Sequence, residues 1–68
     1  MEIFQKRLRE ERKSLGLTQR EIAKRLAITQ PSYIRYENGS SEPSLECLVK
    51  LADLFDVSVD YLLGRTDI

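Results

Sequence analysis

The polar residues between Thr18 and Gly39 are the ones whose types and spacing can do chemistry, and that chemistry is hydrogen bonding at helix ends. Thr18 and Glu21 have capping-box spacing, in which each side chain satisfies an orphan backbone amide at the other's position. Leu17 and Ile22 stand around them where a hydrophobic staple fixes the direction of the incoming chain. The signals then repeat, with Thr29 as a second N-cap and Ile28 and Tyr33 at its staple positions. Asn38-Gly39 supplies residues that tolerate the left-handed conformation in which helices commonly end. Only about two residues separate the apolar end of the first of these helices from the second cap, which leaves room for a sharp turn. The spacing therefore predicts a helix-turn-helix over about residues 18–37, an arrangement used to read DNA.

Bond-making chemistry has no comparable support. The chain has no histidine, no Gly-rich phosphate loop and no nucleophile beside a base in a recognisable context. Its carboxylates are scattered along helical faces, without the pairing of an acid/base site or a hard-metal cage. Cys47 is the single cysteine, so no intramolecular disulfide can form, and it reads as a small buried helix residue without redox duty. The expectation is a protein that is not an enzyme and needs no metal, cofactor or small-molecule ligand.

The elements that must position the motif are all helical, since no alternating strand pattern, repeat or low-complexity segment is present. A first amphipathic helix over 2–14 carries Ile3, Phe4 and Leu8, with Leu15 behind them, and is closed by Gly16 at a C′ position. The two helices of the motif follow, with Pro31 at the N2 position of the second, where its missing amide costs no intrahelical bond. That leaves the Ser32 amide as the target of the Thr29 hydroxyl. Ser44 caps a fourth helix to about Phe55, whose Leu45, Leu48, Leu51, Ala52 and Phe55 form one stripe, widened by Cys47, Val49 and Leu54. Ser58 caps a short fifth helix, with Val57 and Leu62 as its staple and Gly64 at its end. The fold class expected is all-α, a compact five-helix domain.

Sixty-eight residues make one domain, 1–68, held by packed apolar faces and aided by dimerisation. No apolar run spans a bilayer, and Glu2 with no long apolar segment after it argues against a secretory signal, so a cytoplasmic location is expected. Net charge is zero, but its distribution is uneven. Residues 1–37 carry nine basic against five acidic side chains, a net +4, and residues 38–68 carry two against six, a net −4. Such an asymmetry suits a basic face turned to a duplex and an acidic face turned away. Ordinary solvated charge on amphipathic helices is the bland alternative, and Lys24 and Arg25 read that way.

The chain resembles the Cro and lambda-repressor class of helix-turn-helix proteins, the XRE family. The matching pieces are Leu15-Gly16-Leu17-Thr18-Gln19, Glu21-Ile22-Ala23, Leu26-Ala27-Ile28-Thr29-Gln30, Arg35-Tyr36-Glu37-Asn38-Gly39, Glu42-Pro43-Ser44-Leu45 and Val57 to Gly64, in that order. The resemblance implies a lambda-repressor-like fold and a recognition helix over 30–37 that enters the major groove N-terminal end first. It implies that Gln19 bonds a phosphate and braces Gln30, and that Gln30 reaches a base edge, adenine being its bidentate match. Thr29 stands at the helix start among these contacts. Pro31 offers only apolar contact, Ser32 serves base or phosphate, and Arg35 reaches guanine or takes phosphate instead. Asn38, with Ser40 and the amides of residues 39–41, would clamp backbone phosphate. Arg12 and Glu37 would form a partly buried ion pair between the first helix and the end of the third.

Three departures from the family pattern matter. Ala27 stands where glycine is common in the turn, so the backbone there must accept a Cβ. Ser40-Ser41 replaces common basic residues, which predicts modest affinity and a shallow salt dependence, with a slope of log K against log salt near −4 to −5 for about four to six phosphate contacts per dimer. Ile34 stands where a small or polar residue is usual, either touching a thymine methyl or lying as a lone surface apolar residue. Tyr33 and Tyr36 are at core spacing. One recognition helix buries too little surface for tight specific binding, so a homodimer on a palindromic double-stranded DNA operator is expected, with Val59, Leu62 and Leu63 at its interface. The alternative keeps the fold and makes it an antitoxin-like or anti-regulator module whose acidic half binds another protein.

Overall fold

The computed structural model describes all residues from Met1 to Ile68 and consists of five helices. They are α1 (Glu2–Ser14), α2 (Gln19–Arg25), α3 (Gln30–Asn38), α4 (Leu45–Phe55) and α5 (Val59–Leu62). Four begin at the hydroxyl residue that local chemistry marks for the task. Thr18 and Glu21 form a reciprocal capping box, at 3.0 Å to the Glu21 amide and 2.9 Å from the Thr18 amide. Thr29 accepts from the Ser32 amide, Ser44 from Cys47 and Ser58 from Tyr61. Each such cap contributes about 1 kcal/mol by satisfying an amide that the helix cannot. Gly16, Gly39 and Gly64 adopt positive φ after α1, α3 and α5.

The core is one cluster drawn from every helix: Phe4 and Leu8, Ile22, Ala23 and Leu26, Tyr33, then Cys47, Leu51, Ala52 and Phe55, and Leu62. α2 and α3 pack on each other, α1 lies across α3 and against α5, and α5 also packs on α4. Burial pushes the Cys47 thiol up, so the reactive thiolate is scarce. No helix is long and apolar enough to cross a membrane.

Three sequence expectations need correction here. Leu45 does not join the buried stripe of α4: it is 82% exposed, and Val49 one turn on is 52% exposed. The first turn of α4 does pack, through Cys47 and Leu48, but at 3.6 residues per turn Leu45 and Val49 lie about 120° and about 160° around the helix from Leu51, at and beyond the margin of the buried stripe. Leu62 is fully buried within the chain, so it cannot serve a dimer interface. Val59 and Leu63 stay half-buried against the same cluster. Ala27 is the third case. Its backbone is left-handed at φ 58°, although its side chain makes that conformation unfavourable. The left-handed cost of about 1–2 kcal/mol for a residue with a Cβ exceeds the extra unfolded-state freedom of glycine, about 0.5–1 kcal/mol. Ala27→Gly is therefore expected to stabilise the fold by up to about 1 kcal/mol in urea unfolding; a loss of stability would show the turn to be unstrained.

Candidate nucleic-acid interface

α3 divides sharply into two faces. Tyr33 and Glu37, one turn apart, are buried, whereas Gln30, Pro31, Arg35 and Asn38 are exposed and Ser32 and Ile34 lie half-buried between. Pro31, Arg35 and Asn38 recur at i, i+4 and i+7, so they form one outward stripe. The α2–turn–α3 unit thus presents at its surface a short helix bearing an amide, an apolar ring and a guanidinium. A helix of this kind fits the major groove, and those groups match base edges there.

What holds that helix is one buried carboxylate. Glu37 Oε2 accepts from Arg12 Nε at 2.7 Å and from the Tyr33 hydroxyl, while Oε1 accepts from Arg12 Nη2 and Gln19 Nε2, each at 3.2 Å. Arg12 also donates through Nη1 to the Leu17 carbonyl in the turn after α1. Three helices therefore meet on one acid, and no buried side-chain polar atom lacks a partner. Burial alone favours the protonated form of Glu37, but the bonds from Arg12, Tyr33 and Gln19 outweigh it and hold the carboxyl below the usual glutamate range. Burial and the neighbouring carboxylate push the Tyr33 hydroxyl up, keeping it a donor.

The surrounding polar groups differ in how much of their bonding capacity is free. Gln19 rests on Glu37 and not on Gln30, because a carboxylate oxygen is a stronger acceptor than an exposed amide. Thr29 is engaged at its cap, accepting from the Ser32 amide and donating to Ser32 Oγ. Ser40 turns back onto its neighbour, its amide and hydroxyl both donating to Asn38 Oδ1, and the Ser41 amide donates to the Arg35 carbonyl. The expected clamp by the amides of residues 39–41 is thus reduced by two. A phosphate oxygen only accepts, so Asn38 retains its Nδ2 donors for that role.

The sequence profile of the helix-turn-helix family matches residues 8–62, a span that contains this whole arrangement. The chain belongs to the helix-turn-helix family. Among its curated relatives, the uncharacterized HTH-type transcriptional regulator YobD of Bacillus subtilis is 48% identical over 65 residues, covering 96% of this chain and 58% of that protein. The cryptic phage CTXphi transcriptional repressor RstR of Vibrio cholerae is 41% identical over 62 residues, covering 91% and 55%. The HTH-type transcriptional regulator ImmR of Bacillus subtilis is 41% identical over 63 residues, covering 93% and 50%. The chain spans about half the length of these relatives.

Two basic residues of this helix-turn-helix domain escaped the sequence reading. Arg9 Nη1 donates to the Glu37 carbonyl at 3.0 Å, placing a cation at the C-terminus of α3, where the helix dipole favours it. With Arg12 it belongs to a stripe on α1, at i, i+4 and i+7 from Gln5, whose side chain lies over Gly39. That spacing was the available signal. Arg7 bonds the Tyr61 and Thr66 carbonyls, stacks 4.1 Å above the Tyr61 ring and pairs with Asp67, tying residues 61–67 back to α1. Nothing in the sequence pattern marked it, because its partners lie more than fifty residues away.

Proposed function

We propose that this protein is a sequence-specific double-stranded DNA-binding transcriptional regulator, a repressor of the prokaryotic or phage kind that acts as a homodimer on a palindromic operator. The observation that carries the reading is the split face of α3, with Gln30, Pro31 and Arg35 exposed while Glu37 and Tyr33 anchor the helix from behind. Gln30 and Arg35 read base edges. Gln19 and Asn38 take phosphate, and Ser32, Thr29 and Ser40 shape the ends of the helix that place them. The relatives named as transcriptional regulators, one of them a phage repressor, support the regulatory role.

The homodimer is supported by apolar surface that the single chain leaves open. Leu45 and Val49 project from α4 beside a groove of Met1, Phe4, Pro43, Leu48 and Leu63. Val59 of α5 and Leu63 at its C-cap stay half-buried and stand as the sequence-predicted part of that interface.

The test is enrichment of duplexes from a random pool at low and physiological salt. Recovery of a palindrome with half-sites about one helical turn apart is expected, with a salt slope near −4 to −5. A single unrepeated half-site would overturn the dimer. Enrichment of nothing, alongside capture of a protein partner that survives high salt, would overturn DNA recognition.

A further inference from the structure

We propose that Glu37 is a positioning residue for the phosphate contact, acting through Gln19 across the boundary between α2 and α3. The inference rests on the DNA-binding reading above and adds a residue that never touches the duplex. A glutamine amide has two N–H donors on nitrogen and an acceptor oxygen, and a phosphate can use only the donors. On an isolated surface glutamine the amide turns freely and presents either end. Here the carboxylate decides, because Glu37 Oε1 attracts Nε2 at 3.2 Å and would repel the carbonyl oxygen of the opposite orientation.

The tether is stiff because Glu37 is itself fixed. Two nitrogens of Arg12 and the Tyr33 hydroxyl hold its carboxylate in the core, with the residue 3% exposed. Gln19 is half-buried, so its stem has little freedom left. One N–H is thus committed to Glu37 and the second remains free for a phosphate oxygen. Binding need not first order this side chain, which lowers the entropy cost of contact.

A double-mutant cycle tests this, using Glu37→Gln and Gln19→Met with the palindrome enriched above as probe. Glu37→Gln is expected to weaken binding about tenfold when Gln19 is present and to change little in the Gln19→Met background. Equal losses in both backgrounds would show that Glu37 supports the fold alone and would overturn the inference, while leaving DNA binding intact. Wild-type protein that binds no duplex would instead overturn the functional reading and this one together. A second measurement does not depend on the variants folding. In the free wild-type protein, NMR should show the Gln19 side-chain amide exchanging with solvent markedly more slowly than that of exposed Gln30, with its faster component the N–H that points away from Glu37. Exchange at Gln19 as fast as at Gln30 would overturn the tether.

Discussion

Arg12→Met is expected to cost about 3–5 kcal/mol, because it strands a carboxylate that has been removed from water. Glu37 is buried and Arg12 half-buried, with side-chain exposures of 4% and 11%, so solvent screens the pair far less than it would an exposed one. Stabilities of about 0.05–0.15 kcal/mol per residue put a domain of this size near 3–10 kcal/mol, so the variant sits at the edge of unfolding. Methionine preserves the aliphatic stem and the packing of α1, which isolates the lost charge from a cavity. Adding Glu37→Gln should restore part of the stability by removing the unpaired charge, as expected for two residues in one network. Urea unfolding followed by helical signal measures both. A loss below about 1 kcal/mol for Arg12→Met would place the pair with exposed ion pairs, contrary to its burial.

The same pair sets an acid response whose sign reverses in the variant. In the wild type, Glu37 titrates below its unfolded value, so its contribution is complete above about pH 4.3 and is lost as pH falls through the lower folded value. Without Arg12, burial becomes the dominant influence and raises the folded value above the unfolded one. Arg12→Met should therefore gain stability on acidification from neutral pH toward the ordinary glutamate range, where the wild type holds steady. A parallel pH dependence in the two proteins would exclude this assignment.

The fold was legible in the sequence where its causes are local. Thr18, Thr29, Ser44 and Ser58 each bond an amide three residues ahead, and that information lies within one turn of chain. Leu45 and Leu62 were misjudged because hydrophobic spacing reports a face but not what lies opposite it. Leu45 falls at the margin of the stripe, beside an open groove, and at Leu62 the core reaches further than a four-residue helix suggests. Gln19 shows the same limit among polar groups. Its position at the start of α2 follows from the cap, but its choice of Glu37 over Gln30 depends on where three helices converge. Ala27 kept the left-handed turn that glycine would ordinarily occupy, since a tight turn and two flanking helices leave its backbone no alternative.

Recognition of DNA should depend on Gln30 and Arg35 in ways that separate reading from holding. Both are exposed on α3, so neither replacement disturbs the core. A good bidentate contact between side chain and base discriminates by about 1–3 kcal/mol, roughly five- to 150-fold per half-site. Gln30→Ala should therefore weaken binding to the enriched palindrome by that factor, and relax preference at one symmetric pair of positions, adenine being the natural match. Arg35→Ala distinguishes its two roles. If the guanidinium reads guanine, preference relaxes at one further position pair; if it takes phosphate, binding falls evenly across sequences and the salt slope becomes shallower by about one per contact. Asn38→Ala is the internal control, expected to act evenly across sequences because its proposed partner is phosphate. In a homodimer each substitution acts twice, so Gln30→Ala with Arg35→Ala should reduce specific binding to the level of random duplex. Competition binding against singly substituted duplexes measures all of these. Unchanged preference at every position in that double variant would remove α3 as the reading element, whatever affinity remained.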